Sequence, residues 1–237
     1  MKLPPLKPAR ILRRYKRFLA DVEYEGEVLT VHCANTGAMT SCWKPGAEVE
    51  ISFSDNPKRK LPWSLERVDM GAGWIGVNTS RVNTIVAEGI ECQCIRELSG
   101  FRSLQREPVF ATESHGKSRF DFLLTNHISD QRQAYVEVKN ATLLLDNKIQ
   151  FPDAVSIRAK KHLELLALAA TQGFESWLVF AINRPETMVF QAAVSIDPDY
   201  ASTLSTAIKD WGINVLLVRL GHTKDAIEVI GSERWIG

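Results

Sequence analysis

The spacing of hydrophobic and polar positions changes at about residue 79. Before it, short runs such as YKRFLADVEY, VLTVHCA, AEVEISF, WSLERVDM and WIGVN alternate, with NTG, KPG, NPKRK and GAG between them. A period of two marks strands with one buried face, and Gly, Pro and Asn between strands mark turns. Five short strands with no helix among them predict a small barrel of the OB kind over residues 1–80.

After residue 79 helices and strands alternate. TSRVNTIVAEGIECQCIREL predicts a helix with Thr79 or Ser80 as its N-cap. SRFDFLL and AYVEVKN predict strands. FPDAVSIRAKKHLELLALAATQGF carries the strongest helical signal: Pro152 near its start, Asp153 or Ser156 as cap, Gly173 at its end, and Leu163, Leu166 and Ala170 as an apolar stripe. SWLVFAI, TMVFQAAV and INVLLVRL read as strands, and PDYASTLSTAIKDWG reads as a helix closed by Gly212. Residues 81–237 are therefore expected to form an α/β sandwich with helices on both sheet faces.

Within that sandwich one hairpin is unusually charged. Glu137 and Lys139, two apart in YVEVKN, project from the same strand face. If Leu124 pairs with Ala134, Asp121 falls opposite Glu137 and Arg119 opposite Lys139. Like charges facing each other at ~4.5–5.5 Å are destabilising. Two explanations serve: diagonal ion pairs, or a divalent cation shared by the Asp121 and Glu137 carboxylates. Glu107 in LQREPVF is a further carboxylate, read as a surface residue.

Charge and composition add a possible partner. The net charge is only +1, but seven of the first 17 residues are basic and none is acidic before Asp21. A polyanion would meet this front end first. Arg13, Arg14 and Lys16 belong to it, and Lys58, Arg59 and Lys60 lie in a turn beside Trp63, cations for phosphates next to a ring that reads first as barrel core and second as a stacking surface for bases. On the long helix Arg158, Lys161 and His162 form a second basic stripe, with phosphate contact weighed against a merely solvated face. No helix-turn-helix, zinc-finger or zipper pattern is present, so DNA contact is expected mainly at phosphates, with little sequence preference and strong salt dependence. Cys33, Cys42, Cys92 and Cys94 lack zinc spacing and are expected to be buried reduced thiols. The expected reduced thiols make the location read as cytoplasmic, and with no apolar run near ~20 residues and no secretory leader no membrane partner is expected.

The blocks HCANTGAM, SRFDFLL, YVEVKN and FPDAVSIRAKKHLELL, in this order, resemble the sugar fermentation stimulation protein A (SfsA) family. Where many members read Arg-Gly before the Lys-His pair, this chain reads RAKKH. The resemblance implies an N-terminal OB-like domain, a second domain like the PD-(D/E)xK nucleases, DNA binding, and a link to regulation of sugar metabolism. It also implies nuclease-type roles for Asp121, Glu137 and Lys139. Asp121 and Glu137 would hold Mg²⁺ or Mn²⁺ if the chain is catalytic; otherwise no cofactor is called for. Three readings stand: a weakly specific DNA-binding module, a metal-dependent nuclease, and a barrel that binds protein or a small molecule.

Overall fold

The structure is a computed structural model and describes residues 1–112 and 116–237. The basic N-terminal stretch is itself a strand, β1 (Leu6–Tyr15). It is followed by β2 (Leu19–Tyr24), β3 (Glu27–His32), β4 (Glu48–Phe53), β5 (Trp63–Asp69) and β6 (Trp74–Gly76). The sheet order is β3-β2-β1-β4-β5-β6, and a β3–β5 contact closes five strands into a barrel. Inward positions such as Ile11, Val22, Val31, Val49, Ile51 and Leu65 fill it, as the alternation requires.

The expected long helix over TSRVNTIVAEGIECQCIREL is shorter. Asn78 caps a 3₁₀ turn at 79–81, accepting from Ser80 N at 3.2 Å, and α1 (Val82–Glu91) follows. The chain leaves α1 at Cys92, and Gln93 has a left-handed backbone (φ 58°). Cys92 and Cys94 are exposed and joined by a disulfide, which corrects the expectation of buried thiols there; Cys33 and Cys42 are buried and free as expected.

The second domain adds β7 (Phe101–Arg106), β8 (Val109–Thr112), β9 (Gly116–Arg119), β10 (Phe122–His127) and β11 (Ala134–Ala141). Next come β12 (Leu143–Leu145), β13 (Lys148–Phe151), α2 (Ile157–Thr171), β14 (Glu175–Ile182), β15 (Phe190–Ala192), α3 (Pro198–Lys209), β16 (Asn214–His222) and β17 (Ile227–Trp235). The main sheet runs β17-β16-β14-β11-β10-β7, with β11, β14 and β16 parallel and the outer strands antiparallel. One face packs Val136, Val138, Val179 and Val218 against α1 through Val82, Ile85 and Val86. The other packs Tyr135, Leu178, Phe180 and Leu217 against α2 and α3 through Leu163, Leu166 and Leu204. The expected fold is thus present: an OB-like barrel followed by an α/β sandwich of the PD-(D/E)xK kind.

Buried charges tie the two parts together. Arg67, 1% exposed on β5, pairs with Glu50 at 2.5 Å and donates to the carbonyls of Thr223 (2.6 Å) and Lys224 (2.9 Å) beyond β16. Glu66 accepts from Ser52, Asn78 and Arg81, fixing the entry to α1. Arg184 donates to Thr142 O at 2.6 Å and to Ser41 Oγ at 3.1 Å.

Candidate active site

The expected strand SRFDFLL is broken at its centre. β9 pairs with β8, β10 pairs with β11, and Phe120 and Asp121 lie between them. Leu124 does face Ala134, the register inferred from the sequence, but pairing stops at Phe122 opposite Val136. Arg119 therefore does not face Lys139; it stands 3.8 Å from Glu107, and both are exposed. The break lets Asp121 turn its carboxylate onto the backbone of β11. Its Oδ2 accepts from Val138 N at 2.7 Å, and its Oδ1 accepts from Asn83 Nδ2 on α1 at 2.7 Å. Backbone geometry thus aims Asp121 at the residue between Glu137 and Lys139.

On β11, Glu137 and Lys139 share the face toward α2. Lys139 Nζ donates to Glu137 Oε1 at 2.5 Å. His162 Nδ1 is hydrogen-bonded to the same oxygen, and Lys139 Nζ lies 3.3 Å from that Nδ1. His162 is 6% exposed, so it is an internal partner of Glu137 and not part of a surface stripe. Arg158 and Lys161, on the same first turns of α2, are exposed. The separation follows from helix geometry: position 162 faces the sheet, whereas 158 and 161 flank the buried face. Ser156 caps α2, accepting from Ala159 N at 3.1 Å, while Asp153 faces the barrel and accepts from Met39 N at 3.1 Å.

Electrostatics divide the two carboxyls. Burial and the neighbouring charge of Glu137 push Asp121 above the ordinary carboxylate range, against the Val138 N–H bond, Lys139 and Asn83. Burial also opposes ionisation of Glu137, but Lys139 and His162 outweigh it and hold Glu137 below its usual value. Among the described residues, Glu137 Oε2 has no hydrogen-bond partner although it is buried. The buried Tyr200 hydroxyl of α3 is likewise unpartnered, and burial with the negative charge of Glu137 raises its pKa. An orphaned carboxylate oxygen in a buried site demands a compensating group.

Two hard oxygen donors, Asp121 and Glu137, suit Mg²⁺ or Mn²⁺, which commonly bind through one or two carboxylates and retain water. No cluster of three or more His, Cys, Asp or Glu side chains is found among the described residues. The donor set and the orphaned Oε2 fit such an ion.

The barrel closes one side of the site. Loop 35–38 is clamped by Arg14, whose Nη2 donates to the carbonyls of Asn35 and Gly37, both at 2.8 Å. Arg14 thus supports a loop and is not free for phosphate. Arg13 pairs with Asp21 at 2.7 Å while remaining largely exposed. Arg59 donates to Ser64 Oγ at 2.6 Å; Lys16, Lys58 and Lys60 are exposed. Trp63 is half-buried at the barrel end, 5.3 Å from the Tyr24 ring and 5.2 Å from that of Phe53. Between loop 35–37 and β11 lies a cavity of about 240 Å³, lined by Asn35, Thr36, Asn83, Lys139, Asn140 and Gln150 among others. Sequence reasoning did not single out Asn83, Gln150 or Tyr200: Asn83 and Tyr200 reach the site from elements distant along the chain, and Gln150 from a short strand that carries no carboxylate.

Barrel, sandwich and charged strand together define a two-domain protein of OB and restriction-endonuclease-like parts. Residues 12–77 match the SfsA N-terminal OB domain, and residues 80–226 match the sugar fermentation stimulation protein RE domain. The chain belongs to the sugar fermentation stimulation protein family. It is 43% identical over 235 residues to the sugar fermentation stimulation protein homolog of Acidithiobacillus ferrooxidans, covering 98% of each chain. It is 44% identical over 226 residues to the homolog of Desulfotalea psychrophila, covering 95% of this chain and 92% of that one. Its fold matches the Pyrococcus furiosus SfsA structure, described as a complex with Ca²⁺, with a TM-score of 0.85 at 26% identity over 98% of this chain and 96% of that one.

Proposed function

We propose that the chain is a DNA-binding protein with a divalent-cation-dependent phosphodiesterase site formed by Asp121, Glu137 and Lys139. The observation that carries this reading is the buried, unpartnered Oε2 of Glu137, a residue whose charge acts on Asp121 and whose other oxygen holds Lys139. The related P. furiosus protein is described with Ca²⁺, a divalent cation with the same preference for oxygen ligands. Asp121 and Glu137 would hold Mg²⁺ or Mn²⁺, which would supply Lewis acidity and a more acidic water. The residues do the rest. Val138 N–H and Asn83 orient Asp121. His162 and Lys139 keep Glu137 ionised. Lys139, paired with Glu137, would stabilise negative charge developing on a phosphoryl group. Exposed Lys16, Lys58, Lys60, Arg158 and Lys161 supply phosphate contacts on both domains.

The test is cleavage of single- and double-stranded DNA with Mg²⁺, Mn²⁺ or EDTA. Cleavage is expected with metal only, and is lost in Asp121→Asn and Lys139→Met while DNA binding persists. Salt-sensitive binding without cleavage in any metal overturns the phosphodiesterase. A second reading then remains, that of a weakly specific DNA-binding regulator linked to sugar metabolism. The closing of both Lys139 and His162 on one Glu137 oxygen favours it, because that charge is already balanced within the fold.

A further inference from the structure

We infer that the cavity between the barrel loop and β11 receives one unpaired nucleotide, so that the preferred ligand is single-stranded nucleic acid. This rests on the nucleic-acid reading above and adds the strand form.

Size is the first argument. A volume of about 240 Å³ corresponds to a cube about 6 Å on edge. B-form DNA presents a major groove about 12 Å wide, flanked by two backbones, and cannot enter such a space. A flat base, stacked at about 3.4 Å per step along its strand, fits in that dimension. Walls on two domains set the limit. Loop 35–37 is held by Arg14, and Asp153 Oδ2 accepts from Met39 N at 3.1 Å just beyond it.

Lining chemistry is the second argument. A site that only tracked phosphates would be lined by cations. Here Lys139 is the lone cation among the lining residues, and four of them are amides: Asn35, Asn83, Asn140 and Gln150. Amide side chains present a donor and an acceptor side by side, the pattern that matches base edges. Asn83 Nδ2 is committed to Asp121 at 2.7 Å, and Asn140 is committed at both ends, its Oδ1 accepting from Asn183 at 3.0 Å and its Nδ2 donating to Gly76 O at 3.4 Å. Asn35 Oδ1 accepts from Gly37 N at 2.9 Å, which leaves its amide nitrogen, and Gln150 Oε1, for a ligand.

Position is the third argument. Lys139 belongs both to the cavity wall and to the charged cluster with Glu137. A nucleotide seated beside Lys139 brings its own phosphodiester to that cluster. A base pair holds the same base inside the stack, so a duplex must unpair to use the cavity.

The full chain is titrated in EDTA at low salt with fluorescent ten-residue oligothymidylate and with a blunt duplex of equal length, followed by anisotropy. Single strand is expected to bind about tenfold or more tighter than duplex, the effect of one well-seated base. Thr36→Trp, at an exposed position on the cavity lip, is expected to abolish that preference while duplex binding and thermal melting stay unchanged. Gln150→Ala is expected to weaken single-strand binding and leave duplex binding as it was. Equal binding of the two forms, a duplex preference, or a preference that survives Thr36→Trp overturns the inference and leaves DNA binding intact. Binding of neither form overturns the nucleic-acid reading itself.

Discussion

Gly37 in the barrel lies directly against Asp153 in the second domain. A Cβ built on Gly37 would stand 2.7 Å from Asp153 Oδ1 and nearer still to Oδ2. The carboxylate cannot simply swing away, because Oδ2 accepts from Met39 N. Gly37→Ala is therefore expected to destabilise the protein by about 1–3 kcal/mol through overpacking. The cost should fall in an Asp153→Ala background, so a double-mutant cycle of thermal melts should show positive coupling.

His162 and Lys139 share one oxygen of a buried carboxylate. Removing a partner leaves charge uncompensated. His162→Ala, measured in EDTA, is expected to lower stability by about 3 kcal/mol. In a Glu137→Gln background the same substitution should cost much less. Urea unfolding of the four proteins checks both.

Arg67 joins β5 of the barrel to the segment after β16. Arg67→Met keeps much of the side-chain volume but strips Glu50 and two carbonyls of their partner. A loss of about 3–5 kcal/mol is expected. Calorimetry is then expected to resolve two transitions where the parent is expected to give one, because the barrel and the sandwich lose a buried tie.

His222 gives an acid limb to stability. Its Nε2 lies 2.8 Å from Asn183 Oδ1, and its buried Nδ1 has no partner among the described residues. Burial and the nearby Arg67 lower its pKa to about 4. The unfolded chain takes up the proton first, at about pH 6.5. Stability is thus intact above pH about 6.5 and falls toward pH 4, by on the order of 3 kcal/mol. His222→Gln keeps a donor for Asn183 and does not titrate. Its melting temperature should depend less on pH across that window.

Lys58 and Lys60 are exposed in the turn between β4 and β5. If both contact phosphate, replacing them by Ala should reduce the slope of log K against log salt by about two. Arg14→Ala should instead loosen loop 35–38 and lower thermal stability. The comparison separates a phosphate contact from a structural clamp by salt titration and melting.

The hydrophobic rhythm of the chain determined the order of barrel and sandwich, the hairpin register at Leu124 and Ala134, and the shared face of Glu137 and Lys139. Each depends on a residue and its near neighbours, because strand alternation and helical period are local properties of the backbone. The exposed cysteine pair and the early end of α1 were not legible, since a disulfide two residues apart leaves no trace in periodicity. Tertiary structure alone decided that Asp121 steps out of its strand to bind Val138 N, that His162 turns inward, and that Arg14 serves a loop. It alone placed Asn83, Tyr200 and loop 35–38 around β11. Those contacts join residues 17 to more than 100 positions apart, and their geometry is set by how whole elements pack, which no window of sequence contains.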